Sequence, residues 1–212
     1  MVSAILAQAT PPSLMFLGDS LTAGYQLPIQ HAFPAILQER IGTQNIQIIN
    51  AGVSGDTSYT LLNRLPFTLH PTPNVVFLCI GANDGLRGHP ISTIQTTIDA
   101  IIQQLKKKEI TVVLAGISLP KNYTNDYIDA FDAIFPTLAK KHSIPLMPFL
   151  LNDVAGVPSL NLSDRIHPNA SGHQIIAKNV ETFLRSAHII SSKNTFIEDN
   201  KSDIIRAHDS TD

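Results

Sequence analysis

The chain has 212 residues, a formal net charge of −2 and 43% hydrophobic residues. This length suits one domain with a substantial core, and the absence of a long basic run argues against nucleic-acid binding. No apolar segment of the sequence is long enough to span a bilayer, so we expect no integral membrane span.

The two ends of the chain differ from the part between them. Residues 2–9 are apolar and end in Ala7-Gln8-Ala9, which is typical of the end of a secretory signal, although no positively charged region precedes them. We interpret residues 1–12 as an N-terminal segment that is either a remnant of such a signal or a frayed terminus. From about Ile189 the sequence is polar, which predicts a disordered tail over residues 189–212 and a single domain over residues 13–188.

Strand-like and helix-like patterns alternate across this domain. The predicted strands are Leu14–Leu17, Ile46–Asn50, Val75–Ile80, Thr111–Ile117 and Ile144–Pro148. The predicted helices are His31–Ile41, Thr57–His70, Ile91–Lys108, Asn125–His142 and Pro168–Ala187. Pro136 is expected to bend the fourth helix, and Pro168 suits the first turn of the last one. The alternation predicts an α/β fold, a three-layer α/β/α sandwich around a central five-stranded parallel sheet.

A serine follows the first predicted strand at a sharp turn. The residues Gly18-Asp19-Ser20-Leu21 come directly after the apolar run. A hydroxyl held rigidly at the mouth of a sheet is well placed to act as a nucleophile, so Ser20 is the candidate. The alternative is that Ser20 only caps a helix that begins at Leu21, and Asp19 is as well explained by turn formation as by catalysis.

A carboxylate and an imidazole lie three residues apart near the end of the domain. Asp164 can accept a hydrogen bond from one ring nitrogen of His167 across a single turn. This contact would fix the tautomer and leave the other nitrogen free to take a proton from a serine. The α/β-hydrolase motif G-x-S-x-G is absent because Thr22 occupies the position of its second glycine, which points away from the common lipase fold.

Two further loops offer hydrogen-bond donors. Gly55 follows the second predicted strand and Asn83 follows the third. A strand order that begins 2-1-3, as in flavodoxin-like sheets, would place these loops on either side of Ser20 at the carboxyl edge. We therefore predict an oxyanion hole made by the backbone N–H groups of Ser20 and Gly55 and by the side chain of Asn83. Taken alone, Gly55 and Asn83 would be ordinary turn residues.

Together these motifs resemble the SGNH, or GDSL, hydrolase family. Ser20, Gly55, Asn83 and His167 match its four signature positions, and Asp164 completes the triad. The resemblance runs from about Leu14 to about Leu184, and it implies a flavodoxin-like SGNH hydrolase fold. Arg165 falls inside the Asp-x-x-His block, where small or acidic residues are also common in relatives, so it is expected to leave the triad intact and to alter the rim of the site.

The resemblance implies a serine esterase or thioesterase that forms an acyl-serine intermediate. Its substrate would be a small-molecule acyl ester or thioester, including acyl-CoA and lysophospholipids. The resemblance further implies that the segment with Leu119, Pro120 and Tyr123 covers the acyl chain and binds substrate, although these residues could equally only pack the loop. We expect a monomer in the periplasm or outside the cell, with a cytoplasmic location as the alternative.

No cofactor or metal is expected. Asp56, Asp84 and Asp164 do not have a metal-ligand spacing, and the lone Cys79 lies in an apolar run typical of a buried core residue. Two alternatives to the esterase remain open at this stage. One is a carbohydrate acetylesterase with the same catalytic set, and the other is a non-catalytic flavodoxin-like binding module.

Overall fold

The computed structural model describes residues 11–43 and 45–190. The predicted signal remnant lies almost entirely outside these residues, as does the predicted tail beyond residue 190. The packed part of the chain reaches slightly past the predicted domain boundary, because Ile189 and Ile190 are both buried in the core.

A parallel sheet of five strands forms the centre of the molecule. The strands are β1 (Ser13–Gly18), β2 (Gln47–Gly52), β3 (Val75–Cys79), β4 (Thr111–Ala115) and β5 (Leu146–Met147). Their spatial order is β2-β1-β3-β4-β5, and each neighbouring pair is parallel. The predicted sheet and the predicted 2-1-3 start are confirmed.

Helices cover both faces of this sheet. They are α1 (Ser20–Ala23), α2 (Phe33–Ile41), α3 (Ser58–Thr68), α4 (Ala82–Leu86), α5 (Ile91–Lys107), α6 (Asn125–Asp132), α7 (Ile134–His142) and α8 (Ala170–Ser186). Helix α2 packs against α8, whereas α5 packs against α3 and α7. This arrangement is the predicted three-layer α/β/α sandwich.

Two details of the predicted helices are wrong. The predicted fourth helix is two helices, α6 and α7, which meet at Ala133 rather than bending at Pro136. The break follows from the missing N–H of Pro136, which would otherwise bond the carbonyl of Asp132 in a continuous helix. Pro168 precedes α8 instead of lying in its first turn, because Asn169 caps that helix by accepting a hydrogen bond from the Gly172 N–H at 3.1 Å.

The carboxyl end of β1 lies unusually close to its neighbours. Gly18, the last residue of β1, is paired with Gly52 of β2 on one side and with Cys79 of β3 on the other. A Cβ atom at Gly18 would lie only 2.4 Å from the Cys79 carbonyl oxygen and 2.3 Å from Thr22 Oγ1. The glycine of the Gly-Asp-Ser motif is therefore required by space, because it lets α1 start directly above the sheet edge.

Within residues 11–43 and 45–190, no helix is long and apolar enough to cross a membrane.

Candidate active site

Ser20 lies at the first position of α1, directly after β1. The N-cap of this short helix is Asp19, whose Oδ1 accepts a hydrogen bond from the Leu21 N–H at 3.0 Å. Because Asp19 supplies the cap, the hydroxyl of Ser20 is not used for capping. That hydroxyl lies instead 2.9 Å from Nε2 of His167, a residue 147 positions further along the chain.

The second nitrogen of the His167 ring contacts Asp164. Nδ1 lies 2.7 Å from Oδ2 of this carboxylate. The other carboxylate oxygen, Oδ1, accepts hydrogen bonds from the backbone N–H groups of Ile166 at 2.9 Å and of His167 at 3.0 Å. The structure therefore brings Ser20, His167 and Asp164 together in the predicted order.

The environment of Asp164 keeps it ionised. Partial burial acts to raise the pKa of this carboxyl, but hydrogen bonds from the backbone of His167 and Ile166 and from the His167 ring outweigh burial and hold the pKa below its usual range. An ionised Asp164 accepts a hydrogen bond from the N–H at Nδ1 of His167. This leaves Nε2 without a hydrogen, as the acceptor that faces the hydroxyl of Ser20.

A tyrosine packs against the face of the same imidazole. The ring centroids of Tyr25 and His167 are 4.4 Å apart, with an angle of 37° between the ring planes. Sequence reasoning did not assign Tyr25 to the site. Its position five residues after Ser20 carried no chemical signal, because a tyrosine at a helix end is usually explained by packing alone.

The two predicted donor loops flank Ser20 and are joined to each other. Asn83 is the second residue of α4, a helix that the sequence did not predict, and its Nδ2 donates to the carbonyl of Asp56 at 2.9 Å. The amide carries two hydrogens, so one remains to donate elsewhere. Gly55 adopts a φ of +87°, and a Cβ there would meet nothing within 4 Å, so the backbone conformation favours glycine at this position.

A cavity of about 540 Å³ opens beside these groups. Ser20, Asn83 and His167 contribute to its wall, but Gly55 does not. The rest of the wall is largely apolar and includes Leu21, Leu86, Ile117, Leu119, Pro120, Phe149 and Leu151. The charged lining side chains among the described residues are Lys121 and Arg165.

Of the three predicted substrate-binding residues, two reach this cavity. Leu119 and Pro120 line it, whereas Tyr123 does not. The Tyr123 hydroxyl donates to the carbonyl of Leu86 at 2.7 Å, so Tyr123 braces a lining residue instead of forming the wall itself. The sequence missed Phe149, because an apolar residue after a strand is indistinguishable from a core position.

Three buried carboxyl groups are sequence neighbours of the proposed oxyanion donors: Asp19 precedes Ser20, Asp56 follows Gly55 and Asp84 follows Asn83. Burial raises the pKa of Asp19 to about 7, the Leu21 N–H opposes this shift, and the nearby Asp56 and Asp84 carboxylates add to it. Asp84 accepts from both the backbone N–H and the hydroxyl of Ser58, at 2.8 and 2.7 Å. Asp56 accepts from the Thr60 hydroxyl at 2.8 Å, so both carboxylates hold the start of α3 in place.

Across residues 11–43 and 45–190 there is no group of three or more His, Cys, Asp or Glu side chains that could hold a metal ion.

A hydroxyl, an imidazole and a carboxylate in this hydrogen-bonded order, at the carboxyl edge of a parallel sheet, define a serine hydrolase. The model of the GDSL-like lipase/acylhydrolase family matches residues 16–175, and the chain belongs to that family. This membership confirms the resemblance and identifies the protein as an ester-bond hydrolase, so the non-catalytic binding module is not supported.

Known relatives agree with this assignment. The chain is 39% identical over 170 residues to thioesterase 1/protease 1/lysophospholipase L1 of Escherichia coli K12, across 80% of this chain and 81% of the relative. It is 38% identical over 175 residues to an arylesterase of Vibrio mimicus, across 81% and 88%. The crystal structure of the psychrotrophic esterase EstA from Pseudoalteromonas, inhibited by monoethylphosphonate, matches with a TM-score of 0.79 at 31% identity, across 82% of this chain and 97% of that one.

Proposed function

We propose that Ser20, His167 and Asp164 form the catalytic triad of an acyl esterase and thioesterase. The contact of 2.9 Å between Nε2 of His167 and the hydroxyl oxygen of Ser20 carries this proposal, because it is the distance needed for direct proton transfer. Asp164 holds the ring in the required tautomer and stabilises the imidazolium when it forms.

The reaction proceeds in two halves. Nε2 of His167 takes the proton of Ser20 while Oγ attacks the acyl carbonyl carbon, and the imidazolium then gives that proton to the leaving alcohol or thiol as the C–O or C–S bond breaks. In the second half His167 takes a proton from water, whose oxygen attacks the acyl-serine. Ser20 leaves with the proton returned from the imidazolium, and the carboxylic acid is released.

The negative charge of each tetrahedral intermediate needs donors. We propose the backbone N–H groups of Ser20 and Gly55 and the free hydrogen of Asn83 Nδ2. The link from Asn83 to the loop of Gly55, through the Asp56 carbonyl, supports this set. Donors of this kind contribute about a hundred- to a thousandfold each to the rate.

The substrate is proposed to be an ester or thioester of a medium or long acyl chain, including acyl-CoA and lysophospholipids. The apolar wall with Leu119, Pro120 and Phe149 supports this choice, because it offers a place for the chain next to Ser20. The names of the relatives, arylesterase and thioesterase 1/lysophospholipase L1, support the same range of substrates.

We propose that the enzyme acts as a monomer, since Ser20, His167 and Asp164 meet within one chain; size-exclusion chromatography with light scattering would test this.

We also propose export to the periplasm or the medium, on the basis of residues 2–9, and fractionation of cells that express the full chain would distinguish it from a cytoplasmic location.

Covalent labelling tests the nucleophile. We expect an organophosphonate to label the wild-type protein with one equivalent and to leave Ser20→Ala unlabelled, as read by intact-protein mass spectrometry. Ser171→Ala, which changes an exposed serine on α8, is the matched control and should be labelled fully. Labelling of Ser20→Ala at the wild-type rate would contradict the proposed nucleophile.

A further inference from the structure

One arginine joins the two strand ends on which the proposed nucleophile and the Gly55 loop depend. Arg64, on α3, donates from Nη2 to the carbonyl of Gly18 at 3.2 Å and to that of Ala51 at 2.9 Å. Gly18 is the last residue of β1, and Ala51 is the penultimate residue of β2. The guanidinium therefore fixes the spacing of these two strands where β1 turns into Ser20.

The same guanidinium also holds the loop that carries Gly55. Nε of Arg64 pairs with Oδ2 of Asp56 at 2.6 Å, and the Thr60 hydroxyl donates to the other carboxylate oxygen at 2.8 Å. Nη1 donates to the Thr68 hydroxyl at 3.2 Å. Because all three nitrogens of the planar fork have partners, its orientation is fixed in every direction.

Each proposed oxyanion donor is close to a group that Arg64 holds. Ser20 follows Gly18 by two residues, and Gly55 directly precedes Asp56. Asn83 donates to the backbone carbonyl of Asp56. A displacement of Asp56 would thus move the N–H of Gly55 and the amide of Asn83 together, relative to Ser20.

The positive charge of Arg64 also compensates the negative charge of Asp56. The Asp56 carboxylate is nearly buried, and Asp19 and Asp84 lie buried nearby, so three carboxyl groups are close to the proposed oxyanion donors. A developing oxyanion would be repelled by an uncompensated carboxylate at this position. The guanidinium on Asp56 provides the compensating positive charge, and Arg87 provides another on the outer side through the Gly55 carbonyl at 3.3 Å.

We propose that Arg64 is a positioning residue of the oxyanion hole, which sets the geometry of Ser20, Gly55 and Asn83 without contacting the substrate. This inference rests on the proposed function, because it requires those three donors to act on an oxyanion. It predicts that Arg64 affects the stabilisation of the transition state and leaves the binding of the acyl chain unchanged.

Arg64→Lys tests the proposal, because lysine retains the charge beside Asp56 but cannot reach both strand ends with a planar fork. We expect kcat for a p-nitrophenyl acyl ester to fall about ten- to a hundredfold and KM to stay within about twofold. Rates are expressed per site titrated with an organophosphonate, so that only folded, reactive molecules are counted. Arg64→Gln, measured in the same way, is the second variant.

Coupling to Asn83 distinguishes positioning from a purely structural role. Asn83→Ala alone should lower kcat by about a hundred- to a thousandfold. In that background Arg64→Lys should cost a clearly smaller factor than in the wild type, because part of what Arg64 positions is already lost. Equal factors in both backgrounds would overturn the proposal.

Arg40→Lys is the matched control, since Arg40 pairs with Glu181 at the same distance of 2.6 Å but on the face formed by α2 and α8. Its kcat and KM should equal those of the wild type. If the Arg64 variants unfold at lower temperature but keep wild-type kcat per titrated site, Arg64 is merely structural and the inference fails. If the wild-type protein itself neither hydrolyses esters nor reacts with the phosphonate, the proposed function fails instead.

Discussion

At the scale of single residues, proton transfer depends on which nitrogen of His167 carries the hydrogen. Asp164 decides this, because its carboxylate faces Nδ1 at 2.7 Å and its pKa is held below the usual range against the effect of burial. The short span from Asp164 to His167 allows the same carboxylate to accept two backbone N–H groups, which fixes its own position. The orientation of the base is thus set within a single turn of chain.

Replacing that carboxylate should therefore change the chemistry more than the fold. In Asp164→Asn the amide can donate to Nδ1 and favour the wrong tautomer, so we expect kcat to fall by about three to four orders of magnitude while the far-UV spectrum is retained. Asp153→Asn, which alters an exposed aspartate in the preceding loop, should keep full activity. A loss of less than about tenfold in Asp164→Asn would contradict its proposed role.

At the scale of elements, a buried histidine connects two helices on one face of the sheet. Nδ1 of His173, on α8, accepts from the backbone N–H of Phe33 at the start of α2, at 3.1 Å, and the two rings are stacked. The side chain is 1% exposed, and burial lowers the pKa of His173 to about 4, with nearby His167 acting in the same direction. His173 thus satisfies an orphan N–H of α2 only while it is neutral.

This link makes stability depend on pH with a definite sign. The pKa of His173 in the folded state lies below the unfolded value of 6.5. The stabilisation of the fold by neutral His173 is therefore fully present above pH 6.5 and is lost as the pH falls towards 4. We expect the loss to reach about 2 kcal/mol at pH 5 and about 3 kcal/mol at pH 4.

Urea unfolding of His173→Gln would measure this loss, because glutamine can accept the same N–H without titrating. The difference in unfolding free energy between wild type and variant should shift by these amounts in favour of the variant on acidification. His31→Gln, at an exposed position, should show no such shift. A pH-independent difference for His173→Gln would contradict the argument.

At the scale of the whole molecule, the cavity is assembled from loops far apart in the chain. Leu21 comes from α1, Leu86 from α4, Leu119 from the segment after β4, and Phe149 from the segment after β5. These segments all follow strands of a parallel sheet, so they meet at one edge. The volume of about 540 Å³ next to Ser20 is large for an acetyl group alone.

The dependence of activity on acyl chain length should therefore distinguish an esterase for medium or long acyl chains from a carbohydrate acetylesterase. Each additional buried methylene is worth about 0.8 kcal/mol, so we expect kcat/KM for p-nitrophenyl esters to rise by up to about fourfold per methylene from acetate until the cavity is filled. Leu119→Ala should reduce this increment for long chains and leave acetate unchanged. A preference confined to acetate would favour the acetylesterase.

Motifs with a chemical signature were recognisable in the sequence. Ser20, Asp164 and His167 were found because a nucleophile, a base and its partner need particular residue types, and the structure brings them into contact. Leu119 and Pro120 were found through the family resemblance. Helix α4 was missed because its five residues are too few to show a helical period, and its sequence Ala-Asn-Asp-Gly-Leu is typical of a turn.

The amino-acid sequence by itself determined the fold class and the residue types of the site, because hydrophobic periodicity and reactive side chains can be recognised in short segments of the chain, whereas the complete strand order came from the tertiary structure. Only the tertiary structure decided that Tyr25 packs on the imidazole, that Tyr123 stands behind the cavity wall, and that Arg64 joins two strand ends to the loop of Gly55. Packing and hydrogen bonds between distant segments depend on the exact placement of backbones, which no local pattern encodes.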